Sequence, residues 1–360
     1  MAMQIVFIAP GSGPLVLGGE KNKPVGGAEV QMYLIASELA KSGTHEVRLV
    51  VTGKENDFSK GKLRIVVIDR WSIFSRSMSK LWFARPEIVI QRAAGILTFW
   101  SWLWSRWKKA KFVYMVAHDM DVAPSGNNFL ASNWWWSYFR FAMIRADLVV
   151  VQNKFQAEHV SQICRGKILE MENGVPVGTD RRLETERSGV VAMTRLVGFK
   201  RPDLYLKLAR EIAPVKVTVV AYEDGDEWIR NEYVKAAKEI KNLEWIRGVD
   251  WLDTWELINK SKIMVNTSSR EGFPNVFLQA SALGLPVISL SVDPNGYLEK
   301  SNGGIACDDD WKKFVTIVKQ TYIDRRKINK WGSNAKQYVL KHNSTERLVR
   351  EKLLPALNSL

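Results

Sequence analysis

The densest chemistry in the chain lies in Ser268-Ser269-Arg270-Glu271-Gly272-Phe273-Pro274-Asn275-Val276-Phe277-Leu278-Gln279-Ala280. A strand-like run ends there, Glu271 falls in the turn, and Pro274 is placed in the first turn of a helix, where its missing N–H costs nothing. The unpaired N–H groups and dipole of such a helix start favour a phosphate or a sugar hydroxyl. A second cluster, Met193-Thr194-Arg195-Leu196-Val197-Gly198-Phe199-Lys200-Arg201-Pro202, places Arg195 and Lys200 just after another strand-like run. Cations of this kind bind phosphate through charge-assisted hydrogen bonds of about 1.5–3 kcal/mol each. Taken alone, such a pair is more often a solvated loop. Gly26-Gly27 opens a helical pattern after a loop from Pro10 to Val25, and glycines there let backbone N–H groups approach a phosphate. His118-Asp119 ends the run KFVYMVA, at what would be the carboxyl edge of a sheet.

The elements that must carry these residues alternate in a βαβ rhythm. Strand-like runs fall at 4–9, 46–52, 63–69, 87–91, 111–117 and 147–151, with a helical pattern over 27–41. Being apolar throughout, they predict parallel strands buried on both faces. After a strand and an Asn-Gly-Val-Pro turn in 168–178, the rhythm restarts: strands at 189–194, 215–220, 262–266 and 286–290, helices over 202–212, 227–240 and 274–283. The expectation is α/β, with two Rossmann-like doubly wound parallel-sheet domains and a ligand cleft between them. The domains are placed at 1–176 and 177–336, and a carboxyl-terminal helix over 337–360 is expected to return to the first. Gly11-Ser12-Gly13 hints at a dinucleotide fingerprint, but residue 16 is Val and no helix is expected at once, which argues against NAD.

Length and composition agree with this plan. The 360 residues, 46% hydrophobic and 25% charged, suit two ordinary cores and exclude disordered and fibrous classes. The net charge of +14 is uneven: 51–111 holds 13 Lys/Arg against 4 Asp/Glu, 311–360 holds 12 against 3, and 201–310 is net acidic. Two separated basic regions argue for folded surfaces facing something anionic, not for a nucleic-acid-binding tail. Cys164 and Cys307 suggest neither a disulfide framework nor a zinc site, so a reducing, cytoplasmic setting fits. The opening residues read as a strand and turn, not as a secretory signal.

The string around Glu271 resembles the donor-site motif of retaining glycosyltransferases of family 4, whose fold is the two-domain GT-B arrangement. The family pattern is Glu, seven residues, Glu; here the acids' positions hold Glu271 and Gln279. The resemblance implies that Glu271 contacts the transferred sugar and that residue 279 meets the nucleotide ribose. It also implies that Arg195 and Lys200 hold the donor diphosphate and that His118 lies near the sugar. Gly26 and Gly27 would sit beside the diphosphate, Gly272, Phe273, Pro274, Asn275 and Val276 would form the donor-binding helix start, and Gly248-Val249 would line the base. An amide must donate to one ribose hydroxyl where a carboxylate accepts from both, so ribose binding is expected to be weaker.

The implied reaction moves a hexose, with retention, from a nucleotide-sugar to a glycan, glycoprotein or lipid-linked acceptor. Similarity to phosphatidylinositol mannosyltransferases favours GDP-mannose as donor, with a UDP-hexose as the alternative. No cofactor and no metal are expected. Asp119-Met120-Asp121 and Asp224-Gly225-Asp226 match an Asp-x-Asp metal pattern, but such triplets are common by chance. Competing expectations are a basic DNA-modifying glucosyltransferase of the same fold, a non-catalytic nucleotide-sugar binder motivated by Gln279, and an epimerase. A monomer is expected.

Residues 99–109, FWSWLWSRWKK, hold four of the 15 Trp. They read either as a helix packed on the sheet or as a membrane-interface element, which would place the protein at the cytosolic face of an anionic membrane. Ala93 to Ser105, thirteen uncharged residues, is too short for the ~20 that span a bilayer.

Overall fold

A computed structural model describes residues 2–17, 25–54, 56–69, 85–123, 133–176, 178, 186–222 and 227–360. Two compact units emerge. The first comprises Met1–Gly19, Val25–Gly174 and Thr345–Leu360; the second comprises Glu20–Pro24 and Val175–Ser344.

The first unit is built on strands β1 (Gln4–Ile8), β2 (Glu46–Thr52), β3 (Phe58–Lys60), β4 (Leu63–Ile68), β5 (Ile88–Arg92), β6 (Lys111–Met115), β7 (Leu148–Val151) and β8 (Lys167–Glu170). Their order is β3-β4-β2-β1-β5-β6-β7-β8. All pairs are parallel except β3 with β4, a short hairpin strand that the sequence pattern did not reveal. Alternation divides each strand between two cores. Ile5 and Phe7 face the helix Gly27–Lys41 and the carboxyl-terminal residues Leu348, Val349, Leu353 and Leu357. Val6 and Ile8 face the opposite layer, with Trp104, Trp136, Phe139 and Met143. Burial on both faces explains the continuous apolar runs.

The second unit holds β9 (Val190–Arg195), β10 (Val217–Tyr222), β11 (Leu243–Arg247), β12 (Ile263–Asn266), β13 (Val287–Ser289) and β14 (Gly304–Ala306). The order is β11-β10-β9-β12-β13-β14, with every pair parallel. The edge strands β11 and β14 are only partly buried, and so lack the continuous apolar run that marks the inner strands. The chain order reverses between β9 and β12. In open α/β sheets that reversal opens a crevice at the carboxyl ends of the two strands.

Three local expectations need correction. A 3-10 turn (Pro10–Ser12) and a short helix (Gly13–Leu17) do follow β1 directly. A Cβ on Gly13 would stand 2.3 Å from the Thr52 carbonyl oxygen, so close packing against the end of β2 accounts for this glycine. Pro274 does not lie inside its helix: its backbone is extended (ψ 118°), it caps the helix Asn275–Ala282, and its carbonyl accepts from the Phe277 N–H. Finally, the carboxyl-terminal helix Arg325–His342 runs through position 337, and the chain leaves the second unit only after Ser344.

Candidate functional site

At the crevice between β9 and β12, the loops that leave the two strands are tied to each other. The Ser269 N–H donates to the Phe199 carbonyl at 2.9 Å. Thr267 Oγ1 donates toward the carbonyls of Lys200 (3.0 Å) and Arg201 (3.1 Å). The Thr267 N–H in turn donates to the hydroxyl of the buried Tyr205, on the helix Asp203–Glu211. Burial pushes that phenol up to about 12, so it stays a neutral hydroxyl at any working pH.

This scaffold brings two of the expected residues into contact. The Lys200 ammonium pairs with Glu271 Oε1, and Ser268 Oγ donates to the same oxygen at 2.8 Å. Both side chains are mostly withdrawn from water, 18% and 12% exposed, which strengthens the pair relative to a surface one. Arg195 ends β9 five positions earlier, with its side chain exposed. Gly272, Phe273 and Pro274 are buried directly after Glu271, and Asn275 and Val276 start the helix. Phe273 is fixed edge-on against Tyr297, with ring centres 5.4 Å apart.

Arg201 had no assigned role in the sequence reading, yet it is the bracket of the site. Its backbone is left-handed (φ 48°). Its guanidinium donates to the Thr267 carbonyl (2.6 Å), the Ser268 carbonyl (3.2 Å), Ser291 Oγ (2.7 Å) and Asp309 Oδ1 (2.5 Å). One planar fork thereby fixes three loops, which a lysine could not do. The only sequence signal was its place between Lys200 and Pro202.

Gln279 lies one turn into the same helix and is 5% exposed. With its amide oxygen toward the helix Trp251–Asn259, it accepts from Trp251 Nε1 (3.3 Å) and Trp255 Nε1 (3.1 Å). This orientation satisfies two indole donors that the opposite one leaves facing an NH2 group. The hydrogen-bonding capacity of residue 279 is thus largely directed inward. Val249 stands just before that helix, its carbonyl accepting from the Tyr222 hydroxyl at 3.1 Å.

The remaining expected residues belong to the first unit. Gly26 caps the helix Gly27–Lys41, and a Cβ there would meet Glu29 Oε2 at 2.2 Å. A carboxylate of the chain itself therefore lies against this helix start. His118 caps a 3-10 turn, its Nδ1 accepting from the Met120 N–H at 3.1 Å. In the neutral ring this leaves the proton on Nε2.

Asp119 and Asp121 are both engaged by protein donors. Asp119 Oδ1 accepts from Asn153 (2.9 Å) and Gln156 (2.8 Å). Asp121 Oδ2 accepts from the Tyr114 hydroxyl (3.1 Å) and the N–H groups of Ala117 (2.9 Å) and His118 (3.2 Å). Desolvation nevertheless raises the Asp121 pKa, the backbone bonds opposing it. Nearby, burial lowers Arg92 to about 10, opposed by the charges of Glu29 and Asp121, so it remains a cation at neutral pH. The pair Asp224 and Asp226 lies outside the described residues. Among the described residues, no group of three or more His, Cys, Asp and Glu could hold a metal.

Known proteins agree with this architecture. A model described as Glycosyltransferase Family 4 matches residues 25–178, and one described as Glycosyl transferases group 1 matches residues 180–338. No curated protein matches the sequence. Among solved structures, sucrose-phosphate synthase from Thermosynechococcus elongatus superposes with a TM-score of 0.76 at 14% identity, covering 99% of this chain and 98% of that one. Anabaena HepE, solved with UDP and glucose, gives 0.70 at 16%, covering 99% and 100%. WaaG, a glycosyltransferase involved in lipopolysaccharide biosynthesis, gives 0.67 at 15%, covering 99% of both. At these identities the structural likeness establishes the fold alone. The two family models, one on each half of the chain, carry the assignment: the protein belongs to the group 1 glycosyltransferases of the GT-B fold.

Proposed function

We propose that the protein transfers a hexose from a nucleotide-sugar, with retention of configuration, to a glycan, glycoprotein or lipid-linked acceptor. The observation that carries this reading is the Lys200–Glu271 pair, held by Ser268 and Arg201 at the chain reversal of the second sheet. Lys200 and Arg195 would neutralise the leaving diphosphate, so the cationic charge comes from the protein and no metal or cofactor is invoked. A diphosphate oxygen on the leaving side would take the acceptor proton while the new glycosidic bond forms on that same face. No carboxylate nucleophile is then required. When the diphosphate draws the Lys200 ammonium away, Glu271 is left to accept from a sugar hydroxyl. His118 is proposed to orient the sugar, and Gly272 to Val276 to offer helix N–H groups to the donor.

GDP-mannose is the first donor reading, from the likeness of the His118, Arg195, Lys200 and Glu271 set to mannosyltransferases. A UDP-hexose is the second, favoured by the UDP bound in HepE and in TarM from S. aureus. Incubation with each donor and a panel of acceptors, followed by NMR of the product's anomeric proton, tests the reading. An α-linked product from an α-linked donor supports it. Product of inverted configuration refutes it.

A further inference from the structure

The first unit carries an aromatic surface that the transfer reaction does not use. The helix Ile96–Trp107 turns Thr98, Ser101, Trp104 and Ser105 inward onto the sheet. Its opposite face exposes Trp100, Leu103 and Trp107, at i, i+3 and i+7. The neighbouring helix Trp136–Ile144 buries Trp136, Phe139, Ala142 and Met143. It leaves Tyr138 and Phe141 outward, in line with Trp134, which is 73% exposed.

The two outward rows form one patch. Phe99 bridges them, edge-on to Trp100 (5.6 Å), Tyr138 (5.2 Å) and Phe141 (6.3 Å), and Trp102 packs edge-on to Phe141 at 5.2 Å. Exposed apolar side chains scattered singly need no explanation, but a contiguous cluster of six, four of them Trp or Tyr, does.

The charges around the patch select its partner. Residues 93–111 and 133–146 contain Arg106, Lys108, Lys109, Lys111, Arg140 and Arg145 and no Asp or Glu. Arg106 and Lys111 are neutralised by Asp147, at 2.5 and 3.5 Å. Lys108 and Arg145 instead lie over the patch's own rings, 4.5 Å from Trp107 and 3.7 Å from Phe141. Amphipathic Trp and Tyr rings rimmed by cations without acids suit the headgroup boundary of a bilayer, which offers apolar depth beneath an anionic plane. No helix among the described residues is long and apolar enough to cross a membrane. We propose that this two-helix face seats the protein on an anionic lipid surface, with Trp100, Trp107, Trp134 and Tyr138 inserted at headgroup depth.

Flotation of the full chain with phosphatidylcholine vesicles, with and without phosphatidylglycerol, tests this. Binding is expected only to the anionic vesicles and is expected to weaken with salt. The triple variant Trp100→Ser, Trp107→Ser, Trp134→Ser should weaken binding at least tenfold, as should Lys108→Glu with Lys109→Glu. The exposed pair Lys319→Glu, Lys330→Glu, in the other basic region, should leave binding unchanged. Tryptophan quenching of the unmodified protein by brominated anionic lipid reads insertion without any substitution. Absence of binding to anionic vesicles at low salt, absence of quenching, full binding by the tryptophan variant, or loss of binding in the Lys319/Lys330 control would each overturn the proposal.

Discussion

Lys200 and Glu271, 71 positions apart, form an ion pair at the carboxyl ends of β9 and β12, and Ser268 donates to the same carboxylate oxygen. In the proposed reaction a bound diphosphate would compete with Glu271 for the Lys200 ammonium. Glu271→Gln should therefore tighten binding of the free nucleoside diphosphate severalfold while lowering sugar transfer at least tenfold. Lys200→Ala should lower both. Titration of the free diphosphate alongside turnover separates the two effects, and parallel losses in Glu271→Gln would contradict partner exchange.

Arg201 makes four hydrogen bonds to three loops. Arg201→Lys is expected to cost about 2–3 kcal/mol in denaturant unfolding, since the ammonium cannot reproduce the fork. Turnover should fall with little change in KM for the acceptor, because Arg201 acts through the Thr267 and Ser268 carbonyls. Wild-type stability in this variant would remove its bracing role.

Gln279 accepts from two indoles and is buried. Gln279→Leu leaves those donors without an acceptor, at a cost of about 1–3 kcal/mol. Gln279→Glu keeps the acceptor. One carboxylate oxygen would keep the indoles while the second is free to turn to a ribose hydroxyl. On the proposal that residue 279 meets the ribose, the variant should bind the nucleotide about tenfold more tightly, charge-assisted bonds being roughly twice as strong as neutral ones. Equal donor affinity in both proteins would mean that residue 279 does not meet the ribose.

Asp121 has a folded pKa above the value of about 3.9 that it has when unfolded. Between the two values the folded state holds the extra proton, so the Asp121 contribution favours folding at low pH and is lost as pH rises through the folded pKa. Asp121→Asn should flatten that fall. Denaturant melts of both proteins across the acidic range give the difference, and superimposable profiles would show that burial does not perturb this carboxyl.

Much of this molecule was legible in its sequence because inner parallel strands are apolar on both faces. The helix Gly27–Lys41 and strand β2 fall at their expected bounds, and the other inner strands lie within two residues of theirs. The strands β3, β11 and β14 were not, since partial burial leaves no continuous run to read. Glu271 and Lys200 stood out by residue type and position. Arg201 and Ser268 did not, because their roles depend on loops brought together by distant strands. The Trp-rich helix left two readings open; Trp104 faces the core, as a helix packed on the sheet requires, while Trp100 and Trp107 face outward, which burial patterning alone did not reveal.

The most direct test of the central claim is calorimetric titration of the protein and of Lys200→Ala with GDP-mannose, UDP-glucose, UDP-GlcNAc and the free diphosphates, with and without EDTA. One nucleotide-sugar is expected to bind the wild-type protein, EDTA to leave this binding intact, and Lys200→Ala to weaken it at least tenfold. Binding of none of them, or binding that EDTA abolishes, would contradict the claim.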